Sequence, residues 1–122
     1  YLAPGTRAAV VGRLASDGHM RVLLDAELMP SAVREPPRPL GMLCRCVGTG
    51  LNNTGLLACV VGRVTEAYPD HFVLQDGSTR DGLAVACLNS AAAPAPGTFV
   101  RIVGIAVPEG LLVCSMEDVL PL

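Results

Sequence analysis

A chain of 122 residues, 51% hydrophobic and 16% charged, suits one compact domain and is too apolar to be disordered. Its net charge of −2, with nine basic residues that are all Arg and form no run, excludes a strong non-specific pull toward nucleic acid or anionic lipid. The longest apolar run, Leu56 to Val61, is strand-sized, so no membrane insertion is expected. Two Phe, two Tyr and no Trp leave Val, Leu, Ala and Cys to build the core, while thirteen Gly and ten Pro predict short strands and tight turns. The opening at Tyr1 reads as a mature protein or an excised domain.

In chain order, Gly5 to Ala15 alternates weakly as a first strand. Ser16 to His19, "SDGH", signals a hairpin, because Asp-Gly favours the positive backbone angles of a tight turn. Met20 to Leu28 is the returning strand, and residues 1–29 form an N-terminal hairpin. From Pro30 to Gly41 the prolines cannot donate ladder hydrogen bonds, so this stretch reads as an extended spacer in preference to a polyproline ligand. A short strand with Cys44 and Cys46 and a Gly/Asn loop complete a lead-in over residues 30–55.

In a strand, Cys44 and Cys46 share a face about 6.6 Å apart, at the far end of disulfide reach. An odd total of five cysteines rules out a complete intramolecular framework. Asn52-Asn53-Thr54 fits a glycosylation acceptor pattern.

Residues 56–122 hold five strand signals. "LLACVVGRVTEA" is the longest, with Gly62 marking a bend. "YPDH" turns the chain into "FVLQ", and "DGSTRDG" turns it into "LAVAC". After a Pro-rich break, "GTFVRIVGIAV" and "LLVCSMEDVL" flank "PEG". No amphipathic helix of ordinary length occurs, so the fold class is all-β.

Five strands with a break between the third and fourth resemble the OB-fold, a five-stranded Greek-key barrel. The resemblance lies in "VVGRVTEA", in "HFVLQDGST" leading into "LAVAC", and in "PGTFVRIVGIAV". "FVLQDGST" looks like the F-x-L-Q-D-G-T signature of OB domains in bacterial extracellular nucleases and other secreted or surface proteins. Pro39 to Leu57 looks like a lead-in of secreted bacterial modules of this type. The likeness implies an extracellular or cell-surface location. It implies no single function, since OB barrels host oligonucleotide, oligosaccharide and protein ligands alike.

"APGT" occurs at Ala3 to Thr6 and again at Ala95 to Thr98, 92 residues apart. The likeness continues without a gap: Gly12 falls on Gly104, Gly18 on Gly110, Asp25 on Glu117 and Leu28 on Leu120. The N-terminal hairpin thus repeats the last hairpin of the barrel. Either the chain is one period and a third of a larger array, or the extra hairpin covers an exposed barrel edge. For the isolated chain the second is favoured, with Val10, Val11, Val22, Leu23 and Leu24 available for burial.

Residues with chemistry are few. His19, His71, Asp70, Cys44 and Cys46 form no standard zinc pair, so no metal or other cofactor is expected. There is no G-x-S-x-G elbow and no helix to activate a cysteine, so catalysis is not expected. Asp25 and Glu27 share a strand face, where solvated edge residues are the ordinary use. The expected role is a non-catalytic structural or interaction module of a larger, secreted bacterial protein. Its partners would be other domains of that protein, a separate protein, or a second copy in a homodimer.

The alternative is a weak single-stranded nucleic-acid or glycan site on the first three barrel strands. Arg63, Tyr68, His71, Gln75 and Arg80 are its candidate residues, because such a groove needs rings to stack and cations along the backbone. Phe72 and Phe99 are assigned to the core of this aromatic-poor chain.

Overall fold

A computed structural model of the chain describes residue 2 and residues 6–16, 21–49, 53–88 and 93–122. The chain divides into two compact units, Tyr1–Arg38 and Pro39–Leu122.

The first unit is an antiparallel hairpin of β1 (Thr6–Ser16) and β2 (Arg21–Val33). Its expected turn at Asp17 to His19 lies outside the described residues. Opposite Val11 to Arg13, β2 spends one residue more than β1, and Asp25 there takes a positive φ of 52°. Asp tolerates that left-handed conformation better than most residues. Its carboxylate lies 3.7 Å from Arg13. Strand β2 continues through Val33, past the spacer boundary expected at Pro30. Pro30 sits opposite Ala8, and an edge strand absorbs its missing donor.

The register divides the hairpin into two unlike faces. Pairs Ala8–Pro30, Val10–Leu28 and Leu14–Leu23 share one side, with Ser16–Arg21 at its turn end, whereas Arg13 and Glu27 lie on the other. Val10, Leu14, Leu23 and Leu28 are 46%, 65%, 45% and 57% exposed. Of the five residues expected to be buried, Val10, Val11, Leu23 and Leu24 are exposed and Val22 is half-buried. Among the described strands β1 and β2 pair only with each other.

The second unit starts with β3 (Leu40–Gly41) and a 3-10 turn at Cys44–Cys46. Then come β4 (Leu57–Ala67), β5 (His71–Gln75), β6 (Leu83–Cys87), β7 (Phe99–Val107) and β8 (Gly110–Val113). A second 3-10 turn at Met116–Asp118 leads into β9 (Val119–Pro121). The strands run β3-β4-β5-β6-β8-β7-β9, and β4 also pairs with β7. That last ladder closes β4, β5, β6, β8 and β7 into a five-stranded barrel, the all-β OB-like architecture expected, with the hairpin as an addition.

Alternation builds the core. Val60 and Val64 of β4, Phe72 and Leu74 of β5, Val85 of β6, and Val100 and Ile102 of β7 all point inward and are at most 1% exposed. Strand β4 bends between Val64 and Glu66, where Thr65 is an extra residue relative to β5. Just before that bulge, a Cβ built on Gly62 would lie 2.6 Å from the Gln75 carbonyl oxygen. Only glycine lets the two strands pass at this distance.

Two local expectations change. Cys44 and Cys46 lie in a 3-10 turn and not a strand, so one is buried and the other exposed. The last predicted strand is broken after Val113: β8 pairs with the C-terminal half of β7, and β9 with its N-terminal half.

Candidate functional site

The most developed concavity of the barrel unit is an open groove of about 630 Å³ on its outer surface. Its floor is a row across three strands. Arg63 of β4 is the register partner of Gln75 on β5 and of Phe99 on β7. Residues in register across adjacent strands project from the same face, so the guanidinium, the amide and the ring stand side by side. Pro96, Gly97 and Asp76 line the rim. The guanidinium passes close to the Gly97 backbone: a Cβ built on Gly97 would lie 3.6 Å from Nη2.

Phe99 corrects the sequence reading. It is 54% exposed, whereas Phe72 is fully buried. The parity of β7 shows why: Val100, Ile102, Gly104 and Ala106 face inward, so Phe99 and Arg101 face outward. That alternation was available in "FVRIVGIAV".

The five candidate residues separate into two groups. Arg63 and Gln75 meet in the groove, and the Gln75 side-chain N–H donates to the Arg80 carbonyl oxygen at 3.0 Å. Arg80 thus reaches this end through its backbone. His71 stands at the opposite end of β5, four residues before Gln75 and about 13 Å away, with Tyr68 in the turn that precedes it. Their rings stack at a 4.5 Å centroid distance and 14°.

The Tyr68 hydroxyl donates to Glu66, and burial adds to that carboxylate's effect in keeping the phenol protonated: its pKa is raised. His71 Nδ1 lies 2.7 Å from the Asp70 carboxylate, and this hydrogen bond holds the Asp70 pKa below its ordinary value. Both rings are therefore engaged with carboxylates. Among the described residues Arg63 makes no ion pair, so its charge can meet an anionic group at the Phe99 end, against the opposing Asp76 carboxylate on the rim, whereas the Tyr68 end offers only the carboxylates of Glu66 and Asp70.

Other candidates stay scattered. Asp76 accepts backbone hydrogen bonds from Cys44 and Ser78, a structural use. Among the described residues no three His, Cys, Asp or Glu side chains gather into a metal-sized cluster. His19 and Asn52 lie outside the described residues. No family model, curated protein or solved structure matches this chain.

Proposed function

We propose that this chain is a non-catalytic interaction module of a larger protein, and that the hairpin is its contact element. The observation that carries the reading is one largely apolar face bearing Ala8, Val10, Leu14, Leu23, Leu28 and Pro30, with its large side chains exposed and Arg21 at its turn end. Isolated two-stranded hairpins are marginal in water, and contiguous exposed apolar surface marks contact sites. The likeness of "FVLQDGST" to OB domains of bacterial secreted proteins supports an extracellular setting.

A photo-crosslinking residue at position 14 of the parent protein tests this reading. It should yield adducts to another domain or polypeptide well above those from the exposed barrel turn at Glu109. Equal yields at both positions would refute it.

A second reading has its own observation. Phe99 beside an unpaired Arg63 combines a stacking ring with a cation, the pair of features that single-stranded nucleic-acid and glycan sites use. Titrating labelled single-stranded oligonucleotide and oligosaccharide against the chain at low salt separates the two ligands. Saturable binding of neither would end this reading.

A further inference from the structure

The chain carries its own counterpart for the exposed hairpin face. "APGT" precedes β1 as it precedes β7, 92 residues later. The inward residues of β7 are Val100, Ile102, Gly104 and Ala106. At the same spacing β1 has Ala8, Val10, Gly12 and Leu14, and these lie on the apolar face. Each quartet holds eight side-chain carbons in total, the small residue having moved from one end to the other. Cores tolerate redistribution when volume is kept.

Each glycine also sits close to a neighbouring strand: a Cβ on Gly104 would lie 2.7 Å from the Leu112 carbonyl oxygen, and one on Gly12 would lie 2.9 Å from that of Leu24. The partner positions differ by four residues, since Leu24 corresponds to Met116 and not to Leu112. The surroundings of the two strands differ: Ile102 is fully buried, whereas its counterpart Val10 is 46% exposed.

What covers β7 is visible. One edge pairs with β4 over Phe99 to Ile105, and its inward face meets the buried side chains of β4 to β6. The turn before it also docks on β4. The Gly97 N–H donates to the Val64 carbonyl at 2.8 Å, and the Val64 N–H donates to the Thr98 carbonyl at 2.9 Å. The same four letters precede β1 in the sequence, although residues 3–5 lie outside the described residues.

The hairpin departs from the template in its pairing: Arg13, the counterpart of Ile105, pairs with Leu24 and not with the counterpart of Leu112. Strand β7 changes partner from β8 to β9 at a 3-10 turn, whereas β2 follows β1 with only bulges. In the barrel the partner of Ile102 is Val119, whose counterpart is Glu27; in the hairpin Val10 pairs with Leu28 instead. This one-residue slip places leucine rather than glutamate beside Val10 on the apolar face.

We propose that the hairpin closes a second OB-like barrel, its apolar face and the outer edge of β1 receiving a three-stranded sheet of the β4–β6 kind carried ahead of it in the same polypeptide. This inference rests on the interaction-module reading and names the partner. A second copy of the chain is a poorer occupant, because its β4–β6 sheet is already closed by its own β7 and β8.

The test places a copy of residues 39–94 directly ahead of residue 3 of this chain and measures amide hydrogen exchange. In the fusion, amides of Val10 to Leu14 should exchange at least about 100-fold more slowly than in the chain alone. Leu14→Arg should remove that slowing and leave β7 unchanged. Residues 39–122 serve as the control that the added strands close a barrel with their own hairpin. Unchanged β1 exchange in the fusion, with β7 protected in the control, would overturn the proposal. So would concentration-dependent protection of β1 in the chain alone, which would make a second copy the occupant. Position-14 adducts to an unrelated protein would defeat this inference while leaving the interaction-module reading intact.

Discussion

Asp76, at the end of β5, accepts a hydrogen bond from the backbone N–H of Cys44 at 2.8 Å across 32 residues of chain. Its second oxygen accepts from the Ser78 N–H, also at 2.8 Å. One carboxylate thereby anchors the 3-10 turn ahead of β4 to the turn after β5. Burial raises the Asp76 pKa, but the donors from Ser78 and Cys44 outweigh it and hold it below the ordinary 3.8.

Asp76→Ala should cost about 1–2 kcal/mol at neutral pH, the usual range for a carboxylate that satisfies backbone donors. Because the folded pKa is depressed, the charge-dependent part is present above the unfolded value and is lost as pH falls through the folded one. The gap between wild-type and Asp76→Ala denaturation midpoints should hold from pH 7 down to about 5 and narrow below about 4. A gap of constant size down to pH 2 would show that the carboxylate's charge contributes nothing.

Cys44 and Cys46 should differ sharply in reactivity. Cys44 is 3% exposed, and burial, reinforced by the nearby Asp76 charge, has its thiol pushed up to about 12. Cys46 is exposed. The thiolate is the nucleophile, so iodoacetamide at pH 8 should modify Cys46 at least about 100-fold faster than Cys44 in the folded protein. Trypsin cleaves after Arg45 and separates the two sites for mass spectrometry. Equal rates would contradict the buried setting of Cys44.

Gly62→Val should abolish folding of the barrel or cost at least about 3 kcal/mol, because the new side chain meets the Gln75 backbone and not a flexible tip. Gly41 is the control, since a Cβ there meets nothing within 4 Å. Gly41→Ala should stay within about 0.5 kcal/mol of wild type. Thermal unfolding of both variants decides the matter, and a tolerated Gly62→Val would mean that β4 and β5 do not cross so closely.

The barrel was largely legible because its strands carry their own parity. "HFVLQ" alternates so clearly that buried Phe72 and Leu74 and outward His71, Val73 and Gln75 follow from period two alone. Phe99 was misread because its size suggested core, although the position of Arg101 two residues on already placed it outside. The fate of Cys44 was not local information. A turn held by a carboxylate 32 residues away leaves no periodic trace in "MLCRC". The hairpin face was half legible: its apolar residues were visible, but which of them share a side depends on the bulge near Asp25. The candidate site divided for a similar reason, since residues grouped by strand ended up about 13 Å apart along one ladder.

The Phe99–Arg63 row makes a quantitative prediction for single-stranded oligonucleotides. If a base stacks on the exposed ring, Phe99→Ala should weaken binding by about 5- to 150-fold, the equivalent of roughly 1–3 kcal/mol per stacked base. Arg63→Ala should act differently. Removing one phosphate contact should lower the slope of log affinity against log salt by about 0.7, with a smaller loss at high salt than at low. Tyr68→Ala should change little, because that ring is stacked on His71 and tied to Glu66. Fluorescence anisotropy across a salt series measures all three. A large loss in Tyr68→Ala with none in Phe99→Ala would move the ligand to the other end of β5, where Glu66 and Asp70 oppose a phosphate backbone.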